Sequence, residues 1–243
     1  CVGLTQAMRA KAAQAANHAL EKQRAQAALD LAQGRMRLLQ SQLSPHFLFN
    51  SLGSISYLAR SSERDTLVDA VAALGNLLRF TIENASRSSI AVAEELRFAR
   101  DYVGLQRLRF GERFDCHFDV DDAHSGLVSA VCLPFTLQPL LENAFRHEVE
   151  KHASSDSVRG REGVLIRVNV AVRDDRVHML VENSRPVGAR EEGEPNGHGT
   201  GLSNLERRLT HTYRQAGALT REVTESTYRV EVSFPVRIEG RDA

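Results

Sequence analysis

Residues 133–147 of this 243-residue chain read LPFTLQPLLENAFRH, an apolar run that changes into a polar helix face. We expect a helix from Pro134 to about His147. Asn143 and His147 are four residues apart and so share one face of that helix, with Glu142 beside Asn143. Carboxylate and amide oxygens suit Mg²⁺ that also contacts phosphates. Taken alone, however, the stretch is more typical of an ordinary amphipathic helix with a polar face.

Two later segments carry features of a nucleotide site. Residues 197–209 read GHGTGLSNLERRL, with Gly197, Gly199 and Gly201 just before a predicted helix. Backbone amides without side chains can approach phosphates, and a helix N-terminus adds partial positive charge, although glycines also mark plain loops. Asn183 closes the predicted strand LVENS, where its side-chain carbonyl could accept a hydrogen bond from an adenine amino group. The chain lacks GxxxxGK(S/T) and a strand-linked GxGxxG, so neither P-loop nor Rossmann binding fits.

The second half of the chain alternates between strand and helix signals. FDCHFDV, VLIRVNVAV and RVHMLVEN predict strands, the last two joined at an RDD turn, and ALTREVT with TYRVEVSFPV predicts a terminal hairpin. Helices are predicted at 65–84 and 92–109, and over LSNLERRLTHTY. An all-helical part therefore precedes an α/β part, with the boundary near residue 110.

The first helical stretch, residues 5–43, has no proline and one glycine, which favours a long helix. A partial heptad of Leu20, Ala27, Leu31 and Leu38 suggests a weak parallel coiled coil, with a solvated single helix as the alternative. Two antiparallel amphipathic helices after it would bury both faces only by dimerising into a four-helix bundle.

The segment SPHFLFN at residues 44–50 places His46 and Asn50 four residues apart, after a kink expected at Pro45. A neutral imidazole nitrogen is a good nucleophile toward a phosphoryl group. A surface histidine bonded to the asparagine is the plainer interpretation of this segment alone.

The composition indicates a soluble globular protein, with 42% hydrophobic and 26% charged residues. Lys plus Arg and Asp plus Glu each number 31, so the balance predicts no direct nucleic-acid binding. Cys1, Cys116 and Cys132 fit neither a zinc site nor a CxxC redox pair. The chain begins with Cys rather than Met, and we expect it to continue from a longer protein.

Together, the three motif segments resemble the LytS-type sensor histidine kinases over residues from about 35 to the end. LSPHFLFNSL is similar to the phosphoacceptor motif of that family, LQPLLENAFRH to its N-box and GHGTGLSNLERRL to its G-box. Three motifs in the right order outweigh the plain interpretation of each one. The resemblance implies an α+β fold in which a long N-terminal helix and a dimerising helical hairpin, paired as a four-helix bundle in the dimer, precede an α/β sandwich of the Bergerat ATPase type.

The resemblance also implies domains and roles. A signalling helix or coiled coil would occupy 1–40, a dimerisation and phosphoacceptor domain 41–110, and an ATP-binding domain 111–243. His46 would be the phosphoacceptor, with Asn50 beside it, Asn143 the Mg²⁺ ligand and Glu142 a base or polarising group. The other residues implied to contact ATP or frame its lid are Arg146, His147, Asn183, Gly197, Gly199, Gly201, Leu202 and Asn204.

Two departures from typical histidine kinases matter. Phe47 stands where most carry an acid after the phosphoacceptor, as is usual for the LytS type, so the proton acceptor is unassigned. Glu182-Asn183-Ser184 stands where the adenine box usually reads Asp-Asn-Gly. Either Glu182 or Asn183 could take the place of the Asp, and we prefer Asn183 for the adenine contact because this alignment keeps the strand phase. The missing glycine leaves open a weakly active or pseudokinase scaffold.

The family implies autophosphorylation with ATP and Mg²⁺, followed by phosphotransfer to an aspartate of a response regulator with a LytTR DNA-binding domain. The chain would be the cytoplasmic portion of a homodimeric inner-membrane protein, joined to the membrane only through a missing N-terminal region. A non-kinase GHKL-type ATPase is the alternative, although such enzymes need no phosphoacceptor helix.

Overall fold

The computed structural model describes residues 51–56, 59, 64–121, 127, 130–149, 163–185 and 200–237. Within these ranges, no helix has the length and apolar character needed to cross a membrane. Several predictions concern residues outside the described ranges: the coiled coil over 1–40, His46, Asn50, Gly197 and Gly199. They stay predictions.

Residues 51–56 are helical, and two longer helices complete the first half of the described chain. Helix α1 spans Arg64–Asn84 and helix α2 spans Val92–Phe110, which confirms both predicted helices. The face of α1 that is buried beside α2 recurs every three or four residues, as a helical period requires. It consists of Ala70, Leu74, Leu77, Thr81 and Asn84.

Helix α1 carries a second apolar stripe that is exposed in the single chain. Val68, Val71, Leu78 and Ile82 are 65%, 53%, 40% and 65% exposed, and Gly75 lies midway between Val71 and Leu78. The spacing of three and four residues puts all five on one face, about 120° around the helix from the buried face. We call these five residues the α1 stripe.

A five-stranded sheet forms the second half of the fold. Its strands are β2 Phe114–Val120, β4 Val164–Arg173, β5 Arg176–Ser184, β6 Ala218–Val223 and β7 Thr227–Pro235. They lie in the order β2–β4–β5–β7–β6, with β2 and β4 parallel and the other neighbours antiparallel. The long crossover that a parallel pair needs carries helix α3, Leu137–Ala144. Helix α4, Thr200–Tyr213, lies between β5 and β6 in the sequence.

This mixture of helices and a mostly antiparallel sheet confirms the predicted α+β fold class. The predicted turn at RDD is also confirmed, because β4 and β5 are joined by Asp174 and Asp175. Their φ angles of 50° and 57° are both positive. A two-residue hairpin loop with that backbone matches the twist of the strands it joins.

The sheet buries one of its two faces. Along β5, Val177, Met179, Val181 and Asn183 are buried while the residues between them are half exposed, as the two-residue period of a strand requires. The same face is lined on the neighbouring strands by Ile166, Val168, Val170, Val230, Val232 and Phe234. We call it the inner face.

The outer face is charged. Glu182 of β5 forms ion pairs with Arg167 of β4, at 3.6 Å, and with Arg229 of β7. On the same face, His178 Nδ1 lies 2.7 Å from the Glu231 carboxylate. These cross-strand pairs suit a solvated sheet surface.

A two-stranded ribbon that the sequence did not predict ties α2 to the segment before α3. Strand β1, Ile90–Ala91, pairs antiparallel with β3, Val131–Cys132. The Val92 N–H also donates to the Ala130 carbonyl at 3.0 Å. Strands of two residues are too short to show alternation, so sequence patterning gives no signal for them. Helix α2 is therefore bonded to the half of the chain that follows the predicted boundary near residue 110.

The one-sided burial predicts different costs at adjacent positions of β5. Met179→Ala removes a fully buried side chain from the inner face, so we expect the free energy of unfolding to fall by about 2–5 kcal/mol. Leu180→Ala, on the half-exposed outer face, should cost less than half as much. Chemical denaturation of both variants measures the difference, and equal losses would contradict the assignment of the two faces.

Candidate functional site

Helix α3 lies against the inner face of the sheet and carries two of the predicted site residues. Leu137, Leu140, Leu141 and Ala144 are buried, and the helix packs against β5. The predicted helix start at Pro134 is wrong, whereas helical backbone does reach the predicted end near His147. Regular α-helix begins at Leu137, after a turn, and changes at Phe145 into a π-helical turn that runs to Val149. A π turn widens the backbone and is frequent at functional sites.

Glu142 is held in place from its own helix. Gln138 Nε2, one turn earlier, donates to Glu142 Oε1 at 2.8 Å. Burial raises the pKa of Glu142, while the Gln138 hydrogen bond and the nearby Arg146 charge act in the opposite direction. The Glu142 carboxyl group is therefore easier to protonate than that of an exposed glutamate.

Asn143 follows Glu142 and is half buried, and Arg146 is exposed. The backbone of His147 lies in the π-helical turn, so the α-helical spacing that predicted a shared face for Asn143 and His147 does not extend to His147. An amide oxygen and a carboxylate next to each other are the kind of oxygen donors that Mg²⁺ takes. Among the described residues, no group of three or more His, Cys, Asp or Glu side chains is arranged to hold a metal ion.

Asn183 is the polar exception on the inner face of β5, where it is 1% exposed. It pairs in register with Ile166 of β4 and Tyr228 of β7, and its Nδ2 lies 3.4 Å from the Ser184 carbonyl oxygen. Glu182, one residue earlier, turns to the outer face and its ion pairs. The strand alternation that favoured Asn183 over Glu182 therefore agrees with the sheet faces that the two side chains occupy. The contact of Asn183 with adenine stays a prediction.

Ser184, which replaces the expected glycine, has its side chain engaged in the sheet. Its Oγ accepts a hydrogen bond from the Leu165 N–H of β4 at 2.9 Å. Since adjacent strand residues turn to opposite faces, the Ser184 side chain and the Asn183 side chain leave the strand in opposite directions.

Helix α4 brings the end of the glycine segment against α3. A Cβ placed on Gly201 would lie 3.6 Å from the Cβ of Pro139, so the first turn of α4 is close to α3. Leu202 is buried, and exposed Asn204 accepts a hydrogen bond from Arg207 of the next turn. Of the predicted residues, Glu142, Asn143, Asn183, Gly201 and Leu202 therefore lie on elements that pack together over the inner face.

The structure also reveals a residue that the sequence did not single out. Glu95 of α2 is fully buried, and its Oε2 and Oε1 accept hydrogen bonds from the Phe135 and Leu137 N–H groups at 2.9 and 2.8 Å. Burial raises the pKa of Glu95 to about 7, although these backbone hydrogen bonds and the Arg208 charge act in the opposite direction. In sequence, Glu94 and Glu95 both read as acids in a first helical turn. Only Glu94 acts that way, accepting from the Ala91 N–H at 3.0 Å.

Arg208 of α4 reaches the same turn. Its Nη2 donates to the Pro134 carbonyl at 2.6 Å. Burial lowers the pKa of Arg208 and the Glu95 charge raises it. Arg208 and Pro134 are 74 positions apart, and no sequence pattern joins residues so distant, so this contact could be found only from the fold.

Comparison with known proteins finds a histidine kinase family model, two sensor proteins and a histidine kinase structure that are similar to this chain. Residues 34–114 match the family model of histidine kinases. Sensor histidine kinase YesM of Bacillus subtilis strain 168 is 31% identical over 207 residues, which cover 84% of this chain and 34% of YesM. Sensor protein LytS of Enterococcus faecalis strain V583 is 28% identical over 219 residues, which cover 88% of this chain and 36% of LytS. Among solved structures, the catalytic domain of histidine kinase ThkA is 18% identical with a TM-score of 0.43, and the match covers 62% of this chain and 97% of that domain.

The chain spans about a third of the length of the curated relatives it matches. The family-model match includes the SPHFLFN segment at residues 44–50, and the longer matches take in both the helical half and the sheet.

Proposed function

Because the chain belongs to the LytS-type sensor histidine kinases, we propose that it uses ATP to phosphorylate its own His46 and passes the phosphoryl group to an aspartate of a response regulator. The observation that carries this proposal is the packing of α3, with Glu142 and Asn143, against the inner face beside buried Asn183 and the first turn of α4. These elements carry the segments that resemble the N-box and the end of the G-box, together with the residue proposed to contact adenine.

The residues present fit Mg²⁺ bound to ATP. Asn143 would offer its amide oxygen to the metal, which supplies neutralisation of phosphate charge. Glu142, held by Gln138, would orient or accept a proton near the phosphates. Arg146 and His147 would lie toward the phosphates, while Gly197, Gly199, Gly201 and Asn204 would frame the lid.

Asn183 would read the adenine ring. A buried side-chain carbonyl that accepts from the adenine amino group discriminates against guanine, which offers a carbonyl at that position. Catalysis would then consist mainly of positioning the ATP phosphates for in-line attack by the imidazole nitrogen of His46. Asn50 would lie one helical turn after His46.

The α1 stripe supports a homodimer. Its exposed Val68, Val71, Leu78 and Ile82 form an apolar face on a helix whose other apolar face is already buried beside α2. A second copy of the same helix pair would cover it as a four-helix bundle. We further propose that the response regulator carries a LytTR DNA-binding domain. A region preceding this chain would anchor the protein in the bacterial inner membrane.

The phosphoacceptor assignment is tested with γ-labelled ATP. We expect acid-labile, base-stable label on the wild-type protein, and its loss in His46→Gln with ATP affinity nearly unchanged. Free phosphate without labelled protein would indicate a GHKL-type ATPase instead, and neither product would indicate a non-catalytic scaffold. Label that persists on His46→Gln would refute the assignment.

The adenine contact is tested by two substitutions on adjacent strand positions. Asn183→Ala should weaken ATP binding by about tenfold or more, because a buried hydrogen bond worth roughly 1–3 kcal/mol is lost. Glu182→Ala, on the outer face, should leave ATP affinity within about twofold. Titration calorimetry with ATP and GTP decides the matter, and the reverse pattern would place adenine one residue earlier.

The dimer surface is tested by inserting one charge at two equally exposed valines. Val71→Glu in the α1 stripe should convert the dimer to monomer, because a carboxylate would be buried in an apolar contact. Val223→Glu, at a β6 position of nearly the same exposure (50% against 53%), should leave the dimer intact. Sedimentation analysis distinguishes the two, and a dimer that survives Val71→Glu would exclude this face.

A further inference from the structure

Glu95 holds the turn from which α3 starts. Its two carboxylate oxygens accept from the Phe135 and Leu137 N–H groups, and a hydrogen bond from the Thr136 N–H also acts on its pKa. The first N–H groups of a helix have no partner within it, and a negative charge there complements the helix dipole. The side chain comes from α2, some 40 residues earlier in the chain, rather than from the turn itself.

The turn has a backbone that needs outside support. Phe135 has a φ of 60°, a backbone conformation that glycine adopts readily but bulky side chains rarely do. Its ring is held edge-on against Phe80 of α1, with centroids 5.4 Å apart, and against Phe98 of α2, 5.8 Å apart. The Phe135 N–H is the group bonded to Glu95 Oε2. The turn is therefore fixed by side chains of α1 and α2.

Helix α4 is fixed to the same turn from the other side. Arg208 donates to the Pro134 carbonyl at 2.6 Å and faces the Glu95 carboxylate. Among the described residues, Cys132 of β3 is also close enough for the Glu95 and Glu94 charges to act on it, and burial raises the pKa of its thiol well above the usual value. One turn thus joins the helix that carries Glu142 and Asn143 to the helix that follows the glycine segment.

We propose that Glu95 is a positioning residue for phosphoryl transfer: by fixing the Phe135–Leu137 turn together with Arg208, it sets where Glu142 and Asn143 stand relative to the first turn of α4. The inference rests on the proposed kinase function. A purely structural role would lower stability without changing the rate of the folded protein. A positioning role lowers the rate at saturating ATP more than it lowers ATP affinity.

The test uses the full chain and the isosteric variant Glu95→Gln, whose amide group keeps one acceptor oxygen and turns a donor toward a backbone N–H. At a temperature where circular dichroism shows the folded state, we expect the autophosphorylation rate at saturating Mg·ATP to fall at least tenfold and ATP affinity to fall about threefold. Glu94→Gln changes the neighbouring carboxylate, which bonds the Ala91 N–H and pairs with Arg87 but not with the Phe135–Leu137 turn, and should keep the rate within about twofold. A Glu95→Gln rate within twofold of wild type would overturn the proposal.

Arg208→Gln keeps the proposal testable if Glu95→Gln does not fold. It removes the donor to Pro134 and the charge that faces Glu95, and we expect it to lower the saturating rate about as much. Where both single variants fold, the double variant should lose far less than the product of the two. Multiplicative losses, or an unchanged Arg208→Gln rate, contradict the inference.

The two failures are separable. If the wild-type protein takes no label at His46, the proposed function is wrong, and the Mg·ATP affinity of Glu95→Gln then decides the positioning role. An affinity equal to that of wild type would overturn it as well. If the wild-type protein is labelled and Glu95→Gln is labelled equally fast, only the positioning role is wrong.

Discussion

The burial of only one face of the five-stranded sheet determines where everything else in this fold can lie. Valine, isoleucine and methionine side chains from β4, β5 and β7 require an apolar cover, and helices α3 and α4 supply it. A polar residue on such a face must have a reason to be there, since burying an amide without a partner costs free energy. Asn183 is that residue, and it belongs to the strand against which the helix with Glu142 and Asn143 packs. The outer face has the opposite character, because the Glu182 carboxylate pairs with arginines of both neighbouring strands.

The sequence predicted the regular parts of this arrangement well. Alternation predicted β2, β4 and β5, the aspartate pair predicted the hairpin turn, and strand phase placed Asn183 inward and Glu182 outward. These features are local, so a single segment contains all the information. The family followed from three motif segments taken together, two of which extend beyond the described residues.

What the sequence could not predict depends on contacts between distant segments. Glu95 differs from Glu94 only in the direction its side chain takes from α2, and it meets its partners 40 and 42 residues later. Strands β1 and β3 exist only because they pair with each other. The predicted start of α3 is three residues too early because proline is a common first residue of a helix. Here the turn at Phe135 comes first, held by its contacts with Phe80, Phe98 and Glu95.

The spacing of the α1 stripe has a geometric consequence for whatever helix covers it. Positions 68, 71, 75, 78 and 82 repeat every 3.5 residues on average, whereas a straight helix turns once every 3.6 residues, so the stripe drifts slowly around the axis by about 20° per seven residues. A straight partner would leave it after a few turns. Helices that stay in contact along all of α1 must therefore coil around one another with a left-handed twist, crossing at about 20°. Gly75, whose missing side chain leaves open space at the centre of the stripe, is the point at which two such backbones can approach most closely.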